Sequence, residues 1–217
     1  MPHIARWLIN GQVAPSVNQI TDMIPKSWLI NWYRKVGFEE ADKISKTSRE
    51  HGTNIHDIFD RYWQGNLDLS SLSELEGMFL KSIQSWALKN DVKVFKSEPH
   101  LESKTHIFHG SPDLIASVHL KNTIIDYKIK DKYPDYKTIL NETAYALMCH
   151  EMSGTYIEDI LILNFNKETG ELSQEISLPI IPQYRDDFLD LRKAYDVKMR
   201  ADAWDNEYIR SKFRKSK

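Results

Sequence analysis

The sequence predicts a mixed α/β fold: a mixed central β-sheet flanked by helices and preceded by a helical N-terminal segment. Three observations predict it. Apolar residues recur at helical spacing through the first 90 positions, short β-rich runs take over between about 91 and 180, and a long helical stretch closes the chain. At 217 residues there is length for one substantial core. We read 1–217 as a single domain: 1–90 mainly helical, 91–180 sheet and helix, 181–217 a C-terminal helix with a basic tail.

Residues 16–35 begin with Ser16 and carry apolar groups at Ile20, Met23, Ile24, Leu29, Trp32 and Tyr33. Pro25 interrupts the pattern, which predicts a short helix, a turn and a second helix. A longer helix is expected over 41–64, where Ile55, Ile58, Phe59, Tyr62 and Trp63 form a broad apolar stripe. A third spans 72–89, started by Ser71 or Ser73 with acids following. Segments 92–101, 105–109, 113–119 and 122–129 read as strands with short turns between them. A helix at about 137–152 ends near Gly154. Strands at 156–165 and 172–178 flank a turn at 168–171, and the last helix runs from about 182 to 205.

Hydrophobic residues make up 41% and charged residues 28%, ordinary for a globular protein. No apolar run approaches the roughly 20 residues of a membrane helix, so no membrane partner is expected. The opening MPHIARWLINGQ has no basic segment followed by a long apolar one, which argues against a secretory signal and for an intracellular location. Cys149 is the only cysteine, so an intramolecular disulfide and a four-cysteine zinc or iron–sulfur site are excluded. The net charge of −2 gives no general nucleic-acid signal, but a bound metal and a local basic face matter more than the total. The last ten residues, YIRSKFRKSK, hold five basic groups and no acid; a solvated tail is the plain reading and phosphate contact the sharper one.

The chemistry concentrates in GSPDLIASVHLKNTIIDYK, residues 110–128. Side chains alternate along a strand, so Asp126 and Lys128 share one face while Ile125, Tyr127 and Ile129 share the other. Leu114, Ala116 and Val118 form a second apolar row, and a hairpin brings Asp113 close to Asp126. Two carboxylates and an amine at a sheet edge suit a divalent cation and an activated water, hence phosphodiester hydrolysis. Upstream, Arg49, Gly52 and His56 fall on one helical stripe, with Gly52 permitting close approach of another backbone or a phosphate and His56 offering an imidazole nitrogen. Glu98 lies on the expected strand before the hairpin. Asn141 and Tyr145 are i, i+4 neighbours on the following helix.

This ordered set of Arg-x-x-Gly-x-x-x-His, Glu, Gly-Ser-Pro-Asp, Asp-Tyr-Lys and Asn-x-x-x-Tyr resembles the PD-(D/E)XK nuclease superfamily. Within it, the set is similar to the RecB-like and Cas4-like exonuclease branch, which includes the mitochondrial genome maintenance exonuclease and phage exonucleases. PSVNQITDMIPKSWLINWYRK also looks like the N-terminal helical segment common there, so the resemblance covers 15–150. It departs at Asn141, where glutamine is usual, and in lacking iron–sulfur cysteines; no G-x-x-x-x-G-K-S/T loop is present.

The resemblance implies a restriction-endonuclease-like core and a metal-dependent DNA exonuclease favouring single-stranded ends, in recombination, repair or degradation in a bacterial or phage-infected cell. His56, Asp113 and Asp126 would bind Mg²⁺ or Mn²⁺ with the Tyr127 carbonyl, without an iron–sulfur cluster. Glu98 would hold a second ion or act through water, and Lys128 would orient the attacking water. Arg49, Gly52, Asn141 and Tyr145 would hold DNA or support the site. Any ATP-driven unwinding would come from a partner, and a recombination or single-strand-binding protein is a candidate. The alternatives are a structure-specific or restriction-type endonuclease of the superfamily, or a non-catalytic nucleic-acid-binding module. Cleavage polarity and oligomeric state leave no trace in the sequence.

Overall fold

A computed structural model describes residues 7–129 and 134–214, the side chains of Trp28 and of 207–214 excepted. The expected basic tail, residues 208–217, therefore falls outside the described side chains. The chain opens with a hairpin of β1 (Leu8–Ile9) and β2 (Gln12–Val13). Its two-residue loop is Asn10-Gly11, both with positive φ (51° and 77°), as a twisted hairpin turn requires. The sequence reading assigned nothing here because each strand is only two residues long.

Helices α1 (Val17–Thr21) and α2 (Ser27–Val36) flank Pro25 as expected. Ser16 caps α1 in a reciprocal capping box with Gln19, and Ser73 does the same with Glu76 for α4 (Glu74–Lys89). Between them α3 (Phe38–Trp63) forms one 26-residue helix. The strand expected over 92–101 is broken into β3 (Lys93–Ser97) and β4 (Leu101–Ser103). The chain bends at Glu98, whose φ is 42°, and Pro99 has no N–H with which to continue a ladder. The next strand, expected at 105–109, is β5 (Phe108–Gly110), which pairs with β4 in a separate two-stranded ribbon.

The central sheet adds β6 (Leu114–Val118), β7 (Lys121–Lys128), β8 (Asp159–Phe165) and β9 (Leu172–Pro179) to β3, in the order β3-β6-β7-β8-β9. All neighbours are antiparallel except β7 and β8. That parallel pair is joined through α5 (Tyr136–Ser153), the crossover a parallel connection demands. Asp135 caps the start of α5, and Gly154 ends it in the left-handed conformation. Helix α6 runs Pro182–Arg214, further than the expected 205. The sheet is mixed, with helices on both faces.

Strand alternation sorts the core into two layers. Leu114, Ala116, Val118, Ile125, Tyr127, Leu161, Leu163 and Phe165 pack with Ile55, Phe59, Phe79 and Ile83 of α3 and α4. On the opposite face Ile115 and Ile124 pack with Val17, Ile20, Leu140, Ala144, Tyr145, Met148 and Phe188 from α1, α5 and α6. Burial on both faces explains why β6 and β8 read as nearly continuous apolar runs. Arg192 on α6 is buried and donates from Nε to the carbonyls of His106 and Ile107 (both 3.1 Å), tying the β4–β5 loop to the helix layer. Among the described residues no helix is long and apolar enough to cross a membrane.

Candidate active site

The site forms where β6 begins and β7 ends. Leu114 pairs with Ile125, so Asp113 enters the sheet opposite Asp126. The Asp113 carboxylate is held on two sides: Oδ2 accepts the Tyr127 backbone N–H at 2.8 Å, and Oδ1 lies 3.2 Å from His56 Nδ1. His56 reaches in from α3. Its other nitrogen, Nε2, donates to the Tyr127 carbonyl at 3.0 Å. With a carboxylate at one nitrogen and a carbonyl at the other, the ring donates from both. Burial alone would lower its pKa, but the Asp113 charge outweighs that and holds it above the ordinary histidine value. Asp113 shows the reciprocal effect. Burial pushes it up, while His56, Lys128 and the Tyr127 N–H together bring it below the usual carboxylate range.

Glu98 joins this pair because β3 runs beside β6 and its N–H donates to the Asp113 carbonyl (2.9 Å) just where the chain bends. The bend directs a carboxylate toward Asp113: His56, Glu98 and Asp113 each offer a ligand atom, all within 4.8 Å of one another. Burial, then the charges of Asp60 and Asp113, raise the Glu98 pKa. His56 and Glu98 border a cleft of about 410 Å³ that Gly52, Thr53 and Asp57 also line. Gly52 thus lies on the cleft wall one turn from His56, and a methyl group there would meet nothing within 4 Å. Arg49 is exposed on α3, its Nε donating to the Ser45 carbonyl (3.3 Å).

Asp126 and Lys128 point to the face covered by α5. Lys128 Nζ donates to Asp126 Oδ1 at 2.6 Å, and Asp126 Oδ2 is buried with no hydrogen-bond partner. Burial opposes the ammonium, but Asp126 and Asp113 outweigh it and raise its pKa; burial raises Asp126. The Tyr127 ring points the other way, into the α3–α4 layer, with its hydroxyl accepting from Trp63 Nε1 at 2.9 Å.

The two expected helix residues part company. Tyr145 is buried against β5, where a methyl group on Gly110 would come within 2.7 Å of its ring. Asn141 turns toward α1. It accepts from Thr21 Oγ1 (2.7 Å) and donates to Asn18 Oδ1 (3.0 Å), so its amide fastens α1 to α5. The residue that α5 does present to the Asp126 and Lys128 charges is its neighbour Glu142, which the sequence reading passed over. The residue is 2% exposed, its Oε2 has no partner, and burial followed by Asp126 pushes its pKa well up. The one charged residue in the run Ile139 to Cys149 was the available signal.

No protein-family model matches this chain, and no curated protein does. Among solved structures it is similar to a crystal structure from Eubacterium rectale that carries the provisional name of an exonuclease. The identity is 8% and the TM-score 0.49, over 68% of this chain; the chain spans 65% of the length of that protein.

Proposed function

We propose that this chain is a metal-dependent deoxyribonuclease of the PD-(D/E)XK superfamily, an exonuclease of the RecB-like and Cas4-like branch that works from single-stranded DNA ends. The observation that carries the reading is the approach of His56, Glu98 and Asp113 to within 4.8 Å, next to the Asp126–Lys128 pair. The donor set suits Mg²⁺ or Mn²⁺: carboxylate oxygens, one imidazole, and a backbone carbonyl already aimed at that imidazole. The unpartnered Asp126 Oδ2 is a buried anion oxygen for which a cation would be the natural partner. His56, on giving up the proton of one ring nitrogen, would hold the ion with Glu98 and Asp113, and Asp126 and the Tyr127 carbonyl would complete its shell. A bound divalent cation would polarise the phosphoryl oxygen and lower the pKa of a water, contributions worth several kcal/mol.

The chain's own groups do the rest. The Lys128 ammonium orients the attacking water and stabilises charge building on the phosphate oxygens. Gly52 leaves the cleft wall bare beside His56, so a sugar-phosphate backbone can pass close. Arg49, exposed farther along α3, is placed to meet a flanking phosphate. Asn141 serves the site indirectly, by docking the N-terminal segment.

The test is digestion of end-labelled linear single- and double-stranded DNA, and of circular single strands, with Mg²⁺, Mn²⁺ or EDTA. We expect cation-dependent loss of linear single strands and intact circles. Cutting of circles would convert the assignment to an endonuclease; no EDTA-sensitive cleavage of any substrate would end it.

A further inference from the structure

We propose that Glu142 is a positioning residue for Lys128: when Asp126 turns to a bound divalent cation, the Lys128 ammonium passes to the Glu142 carboxyl. This rests on the metal-site reading above. Its origin is a conflict within that reading. Asp126 is wanted in two places, as a cation ligand and as the only hydrogen-bonded acid on Lys128 among the described residues. A free ammonium would either follow Asp126 and repel the cation or swing out to water, and in both cases it would leave the attacking water.

Glu142 resolves the conflict by its location. Asp126 and Lys128 lie on the face of β7 that also carries Ile124, and α5 packs against β7 on that side. Glu142 is buried on this helix, and it interacts electrostatically with Asp126, Lys128 and Asp113. Its Oε2 has no partner. A buried acceptor left unsatisfied costs about 1–3 kcal/mol, which calls for an explanation other than packing. Lys128 has three N–H donors and gives one to Asp126 Oδ1, so a second acid on the buried side can receive another. The transfer needs no proton movement, because a protonated carboxyl still accepts through its carbonyl oxygen.

Two substitutions in the full-length chain separate acceptance from bulk. Glu142→Gln keeps an acceptor oxygen; Glu142→Leu removes it while filling a similar apolar space. In Mn²⁺ titration calorimetry the Leu variant should bind about 10-fold more weakly, as losses in the shell around a metal site generally do, with the Gln variant within about twofold of wild type. In a Lys128→Met background the Leu substitution should have no effect, since no ammonium remains to compete for Asp126. Equal Mn²⁺ affinity of the Leu variant and wild type, or an undiminished loss without Lys128, overturns the proposal. The wild-type chain supplies a check that depends on no variant: saturating Mg²⁺ should shift the ¹⁵N resonance of the Lys128 ammonium, and an unmoved resonance overturns the hand-over. A wild-type chain that binds neither ion refutes the metal site itself, and the hand-over with it.

Discussion

Replacing Lys128 by methionine tests the charge arrangement before any nucleic acid is added. The substitution keeps the length of the side chain and removes the ammonium from its 2.6 Å contact with Asp126. At an effective dielectric constant of 20, that contact carries a gross attraction of about 6 kcal/mol. Desolvation offsets much of it, and breaking such a buried pair from one side generally costs about 3–5 kcal/mol. The Lys128 side chain is 25% exposed and Asp126 10%, which puts the expected loss near the low end, about 3 kcal/mol. For a chain of this length that corresponds to roughly 6–12 °C in Tm. The loss should depend on pH. Burial already raises the Asp126 pKa with Lys128 present, and without the ammonium it rises further. A carboxyl whose folded pKa exceeds its unfolded value, about 3.9, stabilises the fold fully only below that value and loses the contribution as pH rises. The deficit of Lys128→Met against wild type should therefore be largest at neutral pH and smallest near pH 4. Urea unfolding in EDTA across that range reads it directly. A deficit under about 1 kcal/mol at pH 7, or one that does not shrink toward pH 4, would refute the buried pair.

Three further outcomes are expected. Gly110→Ala should destabilise by about 1–3 kcal/mol, because its Cβ would stand 2.7 Å from the Tyr145 ring and 3.3 Å from Val17, both buried; an unchanged urea midpoint would show that Tyr145 does not pack there. Asp113→Ala removes a proposed cation ligand and the acceptor of the Tyr127 N–H, so Mn²⁺ affinity by calorimetry should fall at least as far as the roughly 10–100-fold seen for outer-shell losses, and unchanged affinity would remove it from the site. Ser73→Ala should cost about 1 kcal/mol by opening the capping box with Glu76, measured by thermal unfolding; a loss below a few tenths would mean that the cap contributes nothing to α4.

Much of the architecture was legible because period and punctuation agree. The interruption at Pro25, the Ser16 and Ser73 caps, the Gly154 stop and the β6–β7 alternation each have a local cause, and each local cause survives folding. What was not legible depended on the third dimension. Whether residues 92–101 make one strand or two is decided by β6 alongside, which pairs with Lys93 through Ser97 and lets the chain go after the Glu98 N–H. That release matters chemically. A glutamate inside a flat strand would project from one face, whereas the bend lets Glu98 stand with Asp113 and His56. The β4–β5 ribbon was likewise invisible as a separate unit, since the same residues would have suited another rung of the central sheet.

Asn141 and Glu142 mark the limit most clearly. Helical periodicity shows which residues share a stripe, but adjacent positions differ by 100° of rotation, and the sequence does not say which stripe meets the sheet. Motif spacing favoured Asn141 with Tyr145. In the fold α5 turns Glu142 into the buried side of the helix, while α1 supplies Asn18 and Thr21 to take the Asn141 amide. An asparagine with two good partners at the α1 contact has no need of the active site. A glutamate with an unsatisfied oxygen among three other charges is the group on α5 that packing alone does not explain. The amide at 141 thus holds the N-terminal segment, while the acid at 142 is left buried beside the Asp126 and Lys128 charges.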